Sequence, residues 1–191
     1  EDRSIGVNSP KIMYYHHPDT IQYAGFFPMN KYTGRTTIRG ESEKDIGQYD
    51  ISGPTCGSHG CAMLVKREVA EKTGMFPEKF FLYYEEWDWS ARIIKAGYKI
   101  WYVADATIYH KESMTVGKSN PLKVYYHTRN RILYMRRNTS WFQMTVFTFF
   151  FIFISMPKSL TQFLFKKQFT QMRFFLKGVA WNLYFSSRSV V

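Results

Sequence analysis

The sequence predicts an α/β fold followed by basic, aromatic-rich helices, and three observations support this prediction. An apolar run of strand length at 61–66 leads into a short helical pattern at 67–72. A second helical pattern begins in an acidic cluster and ends at Gly97, and the β-branched and aromatic residues that follow at 99–103 favour a strand. Beyond Pro121 the chain has no Asp or Glu, and Lys and Arg are interspersed with aromatic residues.

The first part of the chain, residues 1–55, has weak periodicity and many turn-forming residues. Short strand candidates occur at 12–15 and 21–25. The polar stretch 36–49 indicates a loop. No strand–helix alternation typical of a nucleotide-binding half precedes residue 20. The chain begins with Glu1 and shows no signal peptide, so we expect a fragment of a longer protein.

The acidic cluster consists of Glu85, Glu86 and Asp88, which follow the aromatic run 80–84 and stand where a helix begins. Carboxylates are favoured in the first turn by the helix dipole, by about 0.3–1 kcal/mol each. Glu85 and Asp88 are three residues apart and share a face, and neighbouring carboxylates tend to raise one pKa. The cluster is interpreted either as a catalytic base in an aromatic-walled pocket or as a solvated helix start with the aromatic residues in the core.

The net charge of +11 lies entirely in the C-terminal part of the chain. Residues 1–120 contain 15 Lys/Arg and 15 Asp/Glu, whereas residues 121–191 contain 11 Lys/Arg and no acid. A helix is predicted to open at 124–134, where Arg129 and Arg131 suit a diphosphate because guanidinium forks match phosphate oxygens. The alternative is a basic, solvated helix face.

The stretch 141–155 is almost entirely apolar, but Pro157 interrupts the pattern and the run falls short of the roughly 20 residues that cross a bilayer. Basic, aromatic, amphipathic segments of this kind favour the membrane interface. A helix packed against the preceding domain is the alternative. A nucleic-acid-binding module is a third possibility, but the Phe-rich run 147–153 is too apolar to stay in water.

The two cysteines, Cys56 and Cys61, indicate a reducing compartment. They are not part of a Cys/His spacing typical of a metal site, and two cysteines do not make a disulfide framework. We expect unpaired thiols.

The residue order around the acidic cluster resembles that of the family 2 glycosyltransferases. The pattern is Gly-x-Phe-x-x-x-Phe-Phe-x-Tyr-x-Glu-Glu-x-Asp-x-x-x-Arg at 74–92, followed by Ala-Gly-Tyr-Lys at 96–99, Tyr-Val at 102–103 and His110. The resemblance covers roughly residues 20–135. Glu86 stands where the family usually has Asp. This replacement keeps the negative charge but places it on a longer side chain.

The resemblance implies an inverting enzyme of the GT-A fold, of which this chain is the acceptor half. It implies that Glu86 is the catalytic base and that Glu85 and Asp88 orient it or contact the acceptor. His110 matches a position that is a metal ligand in some members, or it is a structural histidine. Small residues of the 57–59 segment either line the site or form a tight turn. The expected substrate-binding residues are Gly57, Ser58, His59, Tyr84, Trp87 and Arg129.

The resemblance also implies a divalent metal, Mg or Mn, in the intact enzyme. Family members hold this metal with an Asp-x-Asp motif, which the sequence lacks, so we expect the chain to be inactive alone. The expected partners are a nucleotide-sugar donor, a saccharide or lipid-linked acceptor and a membrane surface, without nucleic acid. We therefore expect residues 1–135 to be the acceptor-side portion and residues 136–191 a helical segment at the cytoplasmic face of the cell membrane. The alternative is a basic nucleic-acid- or membrane-binding module without catalysis.

Overall fold

A computed structural model of the chain describes residues 2–111 and 120–184, and these form two compact units. The described part of the first unit comprises residues 2–29, 36–77 and 85–111. The described part of the second comprises residues 30–35, 78–84 and 120–184.

The first unit is built on a mixed five-stranded sheet. Its strands are β1 (Ile5–Tyr14), β2 (His17–Tyr23), β3 (Gly53–Thr55), β4 (Leu64–Val65) and β5 (Lys99–His110). The main path of the sheet is β2-β1-β5-β3, and β4 pairs with β1. β1 and β5 are parallel, and the other pairs are antiparallel. The register of β1 and β5 places His110 opposite Tyr14, at the end of the sheet.

Two helices, α1 (Arg67–Thr73) and α2 (Glu85–Lys95), lie between β4 and β5 in the chain and cover the sheet. Their apolar faces join the strands in one core of buried side chains, namely Val7, Val69, Trp89, Ile93 and Ile100. Gly74 and Gly97 follow the two helices with positive φ angles of 73° and 93°, which glycine adopts without strain. The predicted helix ends are therefore confirmed.

The strands differ from their sequence-based limits. Only Leu64–Val65 of the apolar run 61–66 forms a strand, and it pairs with Val7 and Asn8 near the start of β1. The Leu64 side chain is exposed. β5 continues to His110, well beyond residue 103. β1 begins at Ile5 rather than at residue 12. The sequence did not indicate this early start, because residues 5–11 have weak periodicity and pair with β5, which is distant in the chain.

The second unit is helical. It contains a 3₁₀ turn at Glu78–Phe80 and the helices α3 (Pro121–Asn138), α4 (Trp141–Phe150), α5 (Met156–Phe165) and α6 (Phe169–Tyr184). α3 and α6 pack closely at Gly178, where a Cβ atom would lie 2.7 Å from the Tyr125 carbonyl oxygen. The sequence-based division after residue 135 falls inside α3, and its functional meaning stays a prediction.

α4 and α5 join through a π-helical segment, Phe151–Ser155, into one helix of 25 residues. The expectation that Pro157 breaks this run is wrong. The proline lies in the first turn of α5, and the widened π turn before it accommodates its missing N–H. By length and composition this helix is able to cross a membrane, and most of it is exposed in the structure.

Buried polar residues of α3 hold the second unit together. Asn130 is fully buried, and its Nδ2 donates to the carbonyl oxygens of Phe80, Leu82 and Tyr83 at 2.6–2.9 Å. Arg131 donates through Nε to the Thr33 carbonyl at 2.8 Å. Because the 78–84 segment is irregular, its carbonyl groups have few partners of their own, and α3 supplies the missing donors.

Candidate active site

The carboxylates of the acidic cluster lie at the start of α2, as predicted. The chain reaches this helix through a strained backbone, because Tyr83 and Tyr84 adopt φ angles of 65° and 71°. Positive φ is rare for bulky residues and is concentrated at functional sites.

Glu85 and Glu86 form a desolvated carboxylate pair. The Glu85 Oε2 atom is buried and accepts no hydrogen bond in the structure. Burial raises the pKa of Glu85, and burial together with the Glu85 charge raises the pKa of Glu86 to about 8. A carboxyl group with such a pKa accepts a proton far more readily than an exposed one. The pair therefore has the chemistry of a general base.

A glycine in the loop between β3 and β4 leaves room above this pair. A Cβ atom on Gly60 would lie 3.8 Å from Glu86 Cβ and 4.0 Å from Glu85 Oε1. Gly60 itself is exposed, so at this position only a single layer of backbone lies between the carboxylates and solvent. The absence of a side chain at position 60 keeps the approach to the carboxylates open.

The predicted binding residues Gly57 and Ser58 lie in the same loop. A Cβ atom on Gly57 would lie 3.1 Å from the Trp87 ring, which is a tight contact, so the absence of a side chain eases the close approach of this loop to α2. The Gly57 carbonyl accepts a bond from the Tyr23 hydroxyl at 2.9 Å. Ser58 is buried, and its Oγ atom has no hydrogen-bond partner in the structure. Unpaired buried hydroxyls are costly, and this one is a candidate ligand-binding group.

Two histidines lie together at the end of β5. The His59 and His110 ring centroids are 5.8 Å apart with a T-shaped geometry. Burial lowers the pKa of His59 to about 4, and the nearby His110 adds to this effect. His59 is therefore neutral at physiological pH. The structure brings the predicted metal ligand His110 and the predicted binding residue His59 into one cluster.

Hydrogen bonds define the tautomers of these rings. The Cys61 amide donates to His59 Nδ1 at 3.2 Å, so in the neutral ring the hydrogen is on Nε2. The His110 Nδ1 atom lies 2.9 Å from Gln22 Oε1, an oxygen that only accepts. His110 Nδ1 therefore carries the hydrogen, and its Nε2 lone pair is able to bind a metal. This pattern is common among metal-binding histidines.

His110 fits one ligand position of a divalent metal, but the described part of the chain does not supply a full set. Within residues 2–111 and 120–184, no three His, Cys, Asp or Glu side chains are grouped to hold an ion.

Two predicted residues of α2 are largely buried. Asp88 is 1% exposed and forms an ion pair with Arg92, Oδ2 to Nε at 3.2 Å. This i,i+4 pairing indicates a structural role rather than contact with an acceptor. Trp87 is 7% exposed and packs on Phe26 with ring centroids 4.4 Å apart. A ring buried to this extent offers little surface to a sugar, which indicates a packing role.

The remaining predicted residues, Tyr84 and Arg129, belong to the second unit. The Tyr84 hydroxyl donates to the Gly34 carbonyl at 3.0 Å. Arg129 is buried, and its Nη2 donates to the Lys79 and Phe80 carbonyls at 2.6 and 2.7 Å. The alternative of a solvated basic face is wrong for Arg129. Binding of a diphosphate by Arg129 stays a prediction, and the hydrogen bonds from its guanidinium group to the Lys79 and Phe80 carbonyls do not favour it.

The sequence did not single out Gln22 and Phe26, which complete the histidine cluster. Gln22 orients His110, and the Phe26 ring stacks on His59 at 6.3 Å with an interplanar angle of 4°. Gln22 lies at the end of β2 and Phe26 lies three residues beyond that strand, and both are more than thirty positions before His59. Only the pairing of β1 with β2 and β5 brings them to this place.

Comparison with known proteins relates the chain to a glycosyltransferase. It is 27% identical over 123 residues to the N-acetylglucosaminyl-diphospho-decaprenol L-rhamnosyltransferase of Mycobacterium tuberculosis, in strains CDC 1551 / Oshkosh and ATCC 25618 / H37Rv. The similar region covers 62% of this chain and 36% of each relative. No family model matches the sequence. The similarity is that of a distant homologue, and it agrees with a role in glycosyl transfer.

Proposed function

We propose that this chain is the acceptor-side portion of an inverting, nucleotide-sugar-dependent glycosyltransferase of family 2, with a GT-A fold. The main support is the desolvated pair Glu85 and Glu86 at the tip of α2, beside the open position at Gly60. The similarity to a rhamnosyltransferase points to the same class of reaction. The donor-binding half would come from outside these 191 residues, so the chain alone is inactive in this proposal.

In the proposed reaction the acceptor hydroxyl group attacks the anomeric carbon of the donor sugar. Glu86 takes the hydroxyl proton as the new carbon–oxygen bond forms, and the bond to the nucleoside diphosphate breaks with the electron pair going to the phosphate oxygen. The charge on Glu85 keeps the proton affinity of Glu86 high. The attack from the opposite face inverts the anomeric centre.

The histidine cluster would serve the diphosphate side of the reaction. His110 would offer Nε2 to a divalent Mg or Mn ion, which when bound neutralises charge on the leaving diphosphate. His59 would donate a hydrogen bond through Nε2, since it is neutral and protonated at that atom. Ser58 Oγ, which lacks a partner in the structure, would bind a substrate hydroxyl group.

The acceptor in this proposal is a lipid-linked saccharide, used in cell-surface polysaccharide synthesis at the cytoplasmic face of the cell membrane. The relatives are named for a diphospho-decaprenol acceptor. The mostly exposed, apolar helix formed by α4 and α5 and the acid-free basic sequence after Pro121 both support contact with an anionic membrane. Spanning of the bilayer by this helix fits the proposal as well as peripheral contact does.

The test of catalysis is Glu86→Gln in the full-length enzyme that contains this chain. Loss of the base is expected to lower turnover about 10²–10⁴-fold. Nucleoside diphosphate release from a panel of nucleotide sugars, with membranes that contain lipid acceptors, measures the effect. Glu71→Gln, an exposed carboxylate on α1, is the matched control and is expected to leave turnover unchanged. Unchanged turnover in Glu86→Gln would remove the base assignment.

The nucleic-acid-binding form of the alternative is separated from this proposal by a binding comparison, whereas a membrane-binding module without catalysis is separated from it by Glu86→Gln. Flotation with vesicles of phosphatidylglycerol and phosphatidylcholine is expected to recover the protein, and an oligonucleotide gel shift is expected to show no complex at physiological salt. The exposed aromatic face of the 25-residue helix is the reason for this expectation. Tight oligonucleotide binding without flotation would favour the alternative.

A further inference from the structure

The second unit contains a cavity of about 420 Å³ that the reaction chemistry above does not use. This volume is within the range of about 300–1,000 Å³ typical of ligand pockets. Its wall combines basic and polar side chains with aromatic ones, namely Arg35, Tyr84, Lys123, Val124, His127, Thr128, Arg131, Phe151, Ser159, Phe163 and Phe175.

The polar part of the wall is cationic. Arg35, Lys123 and Arg131 line the cavity, and no Asp or Glu is among the described residues that line it. The Arg131 guanidinium is held in place by the Thr33 carbonyl and by Ser155 Oγ at 3.1 Å, which are neutral acceptors. Its positive charge is therefore not cancelled. A cavity with this wall favours an anion with several oxygen atoms.

The other part of the wall is aromatic. Phe175 stacks on Phe151 with centroids 6.2 Å apart, and Phe163 packs on Phe175 at 6.0 Å. Phe151 and Phe163 lie on the 25-residue helix that is long and apolar enough to cross a membrane. A free inorganic anion would gain nothing from this surface, whereas an apolar chain attached to the anion would be removed from water by it.

We propose that this cavity binds the phosphate or diphosphate group of a lipid carrier, with the first part of the lipid chain against Phe151, Phe163 and Phe175. This inference rests on the proposed use of a lipid-linked acceptor and names where its phosphorylated end is held. Arg35 and Lys123 provide cationic donors, and Arg131, which is held by neutral acceptors, provides a further positive charge. The carrier is recognised by the combination of an anionic head and an apolar tail.

The test measures displacement of a fluorescent farnesyl diphosphate from the full-length protein in detergent. Farnesyl diphosphate is expected to compete strongly, inorganic pyrophosphate weakly and phosphatidylglycerol weakly. The double variant Arg35→Gln/Lys123→Gln is expected to weaken farnesyl diphosphate binding about tenfold or more, since two charge-assisted bonds are lost. The matched control is Lys158→Gln/Lys166→Gln, which removes the same charge from exposed positions that do not line the cavity.

A second pair of variants tests the aromatic wall. Phe163→Ser is expected to weaken binding of farnesyl diphosphate and not of pyrophosphate, whereas Phe165→Ser, at an exposed position of the same helix, is expected to change neither. Equal competition by pyrophosphate, or equal loss in the control variants, would overturn the lipid assignment. This test measures binding, so its result is independent of the turnover of Glu86→Gln. If Glu86→Gln loses turnover but the cavity variants bind farnesyl diphosphate normally, the cavity assignment is refuted and the proposed glycosyl transfer is not.

Discussion

The two units bury charged groups in opposite ways. In the first, the carboxylates of Glu85 and Glu86 are close to each other, and Glu85 Oε2 accepts no hydrogen bond. In the second, the buried guanidinium groups of Arg129 and Arg131 donate to backbone carbonyl oxygens. The first arrangement costs stability and the second contributes to it.

This difference distinguishes buried charged groups that suit a catalytic role from buried charged groups that stabilise the fold. A buried carboxyl pair with an unsatisfied oxygen atom is retained when its unusual proton affinity is useful, as at catalytic sites. A buried charge with complete hydrogen bonding orders the segment it contacts, as Arg129 and its neighbour Asn130 do for residues 78–84. Asp88, paired with Arg92 in the same helix turn as Glu85, is an internal reference for the second behaviour.

The largest expected effect on stability comes from Asn130→Ala. It removes a fully buried amide and leaves the carbonyls of Phe80, Leu82 and Tyr83 without this donor. The free energy of unfolding is expected to fall by about 2–4 kcal/mol. Urea unfolding in detergent measures it. Glu85→Gln is the matched comparison and is expected to lower the free energy of unfolding by less than about 1 kcal/mol, or to raise it. Equal losses would remove the distinction between the two units.

The next effect is a pH dependence of stability between about pH 6.5 and 8. The pKa of Glu86 is raised to about 8 in the folded protein, so in this window the folded state holds a proton that the unfolded state has released. Stability is therefore expected to decrease as pH rises through the window. Below about pH 6.5 the lowered pKa of His59 acts in the opposite direction.

Thermal unfolding of the wild type and Glu86→Gln across this window checks the assignment. The glutamine variant is expected to lose the downward slope, while turnover of the wild type is expected to rise as Glu86 loses its proton. A slope that persists in the variant would mean that another group titrates there.

The smallest effect is expected for Gly60→Ala. The added methyl group would meet Glu86 Cβ at 3.8 Å, an ordinary contact, so folding is expected to be unchanged. Acceptor access is expected to suffer, and KM for the acceptor to rise severalfold with little change in kcat. Gly53→Ala is the control, because nothing lies within 4 Å of its Cβ position. An unchanged KM in Gly60→Ala would show that substrates approach from another side.

The sequence predicted those features that depend on nearby residues. The start of α2 was visible in its three acids and its end in Gly97, because dipole and backbone preferences act within one turn. The pairing of Asp88 with Arg92 follows from helical spacing alone.

Features that depend on distant residues could not be predicted in this way. The burial of Arg129 requires carbonyl groups about fifty positions earlier, and the orientation of His110 requires Gln22. Pro157 was expected to end a helix, but a π turn before it absorbs the irregularity. That turn has no local signal in a run of nearly uniform Phe and Ile residues.

The parallel pairing of β1 with β5 has a consequence for biosynthesis. Once β1 has left the ribosome, residues 15–98 must follow before β5 appears beside it. At typical synthesis rates this takes on the order of ten seconds. During that time one side of β1 has unpaired backbone groups next to apolar residues such as Ile12, a condition that favours association with other nascent chains.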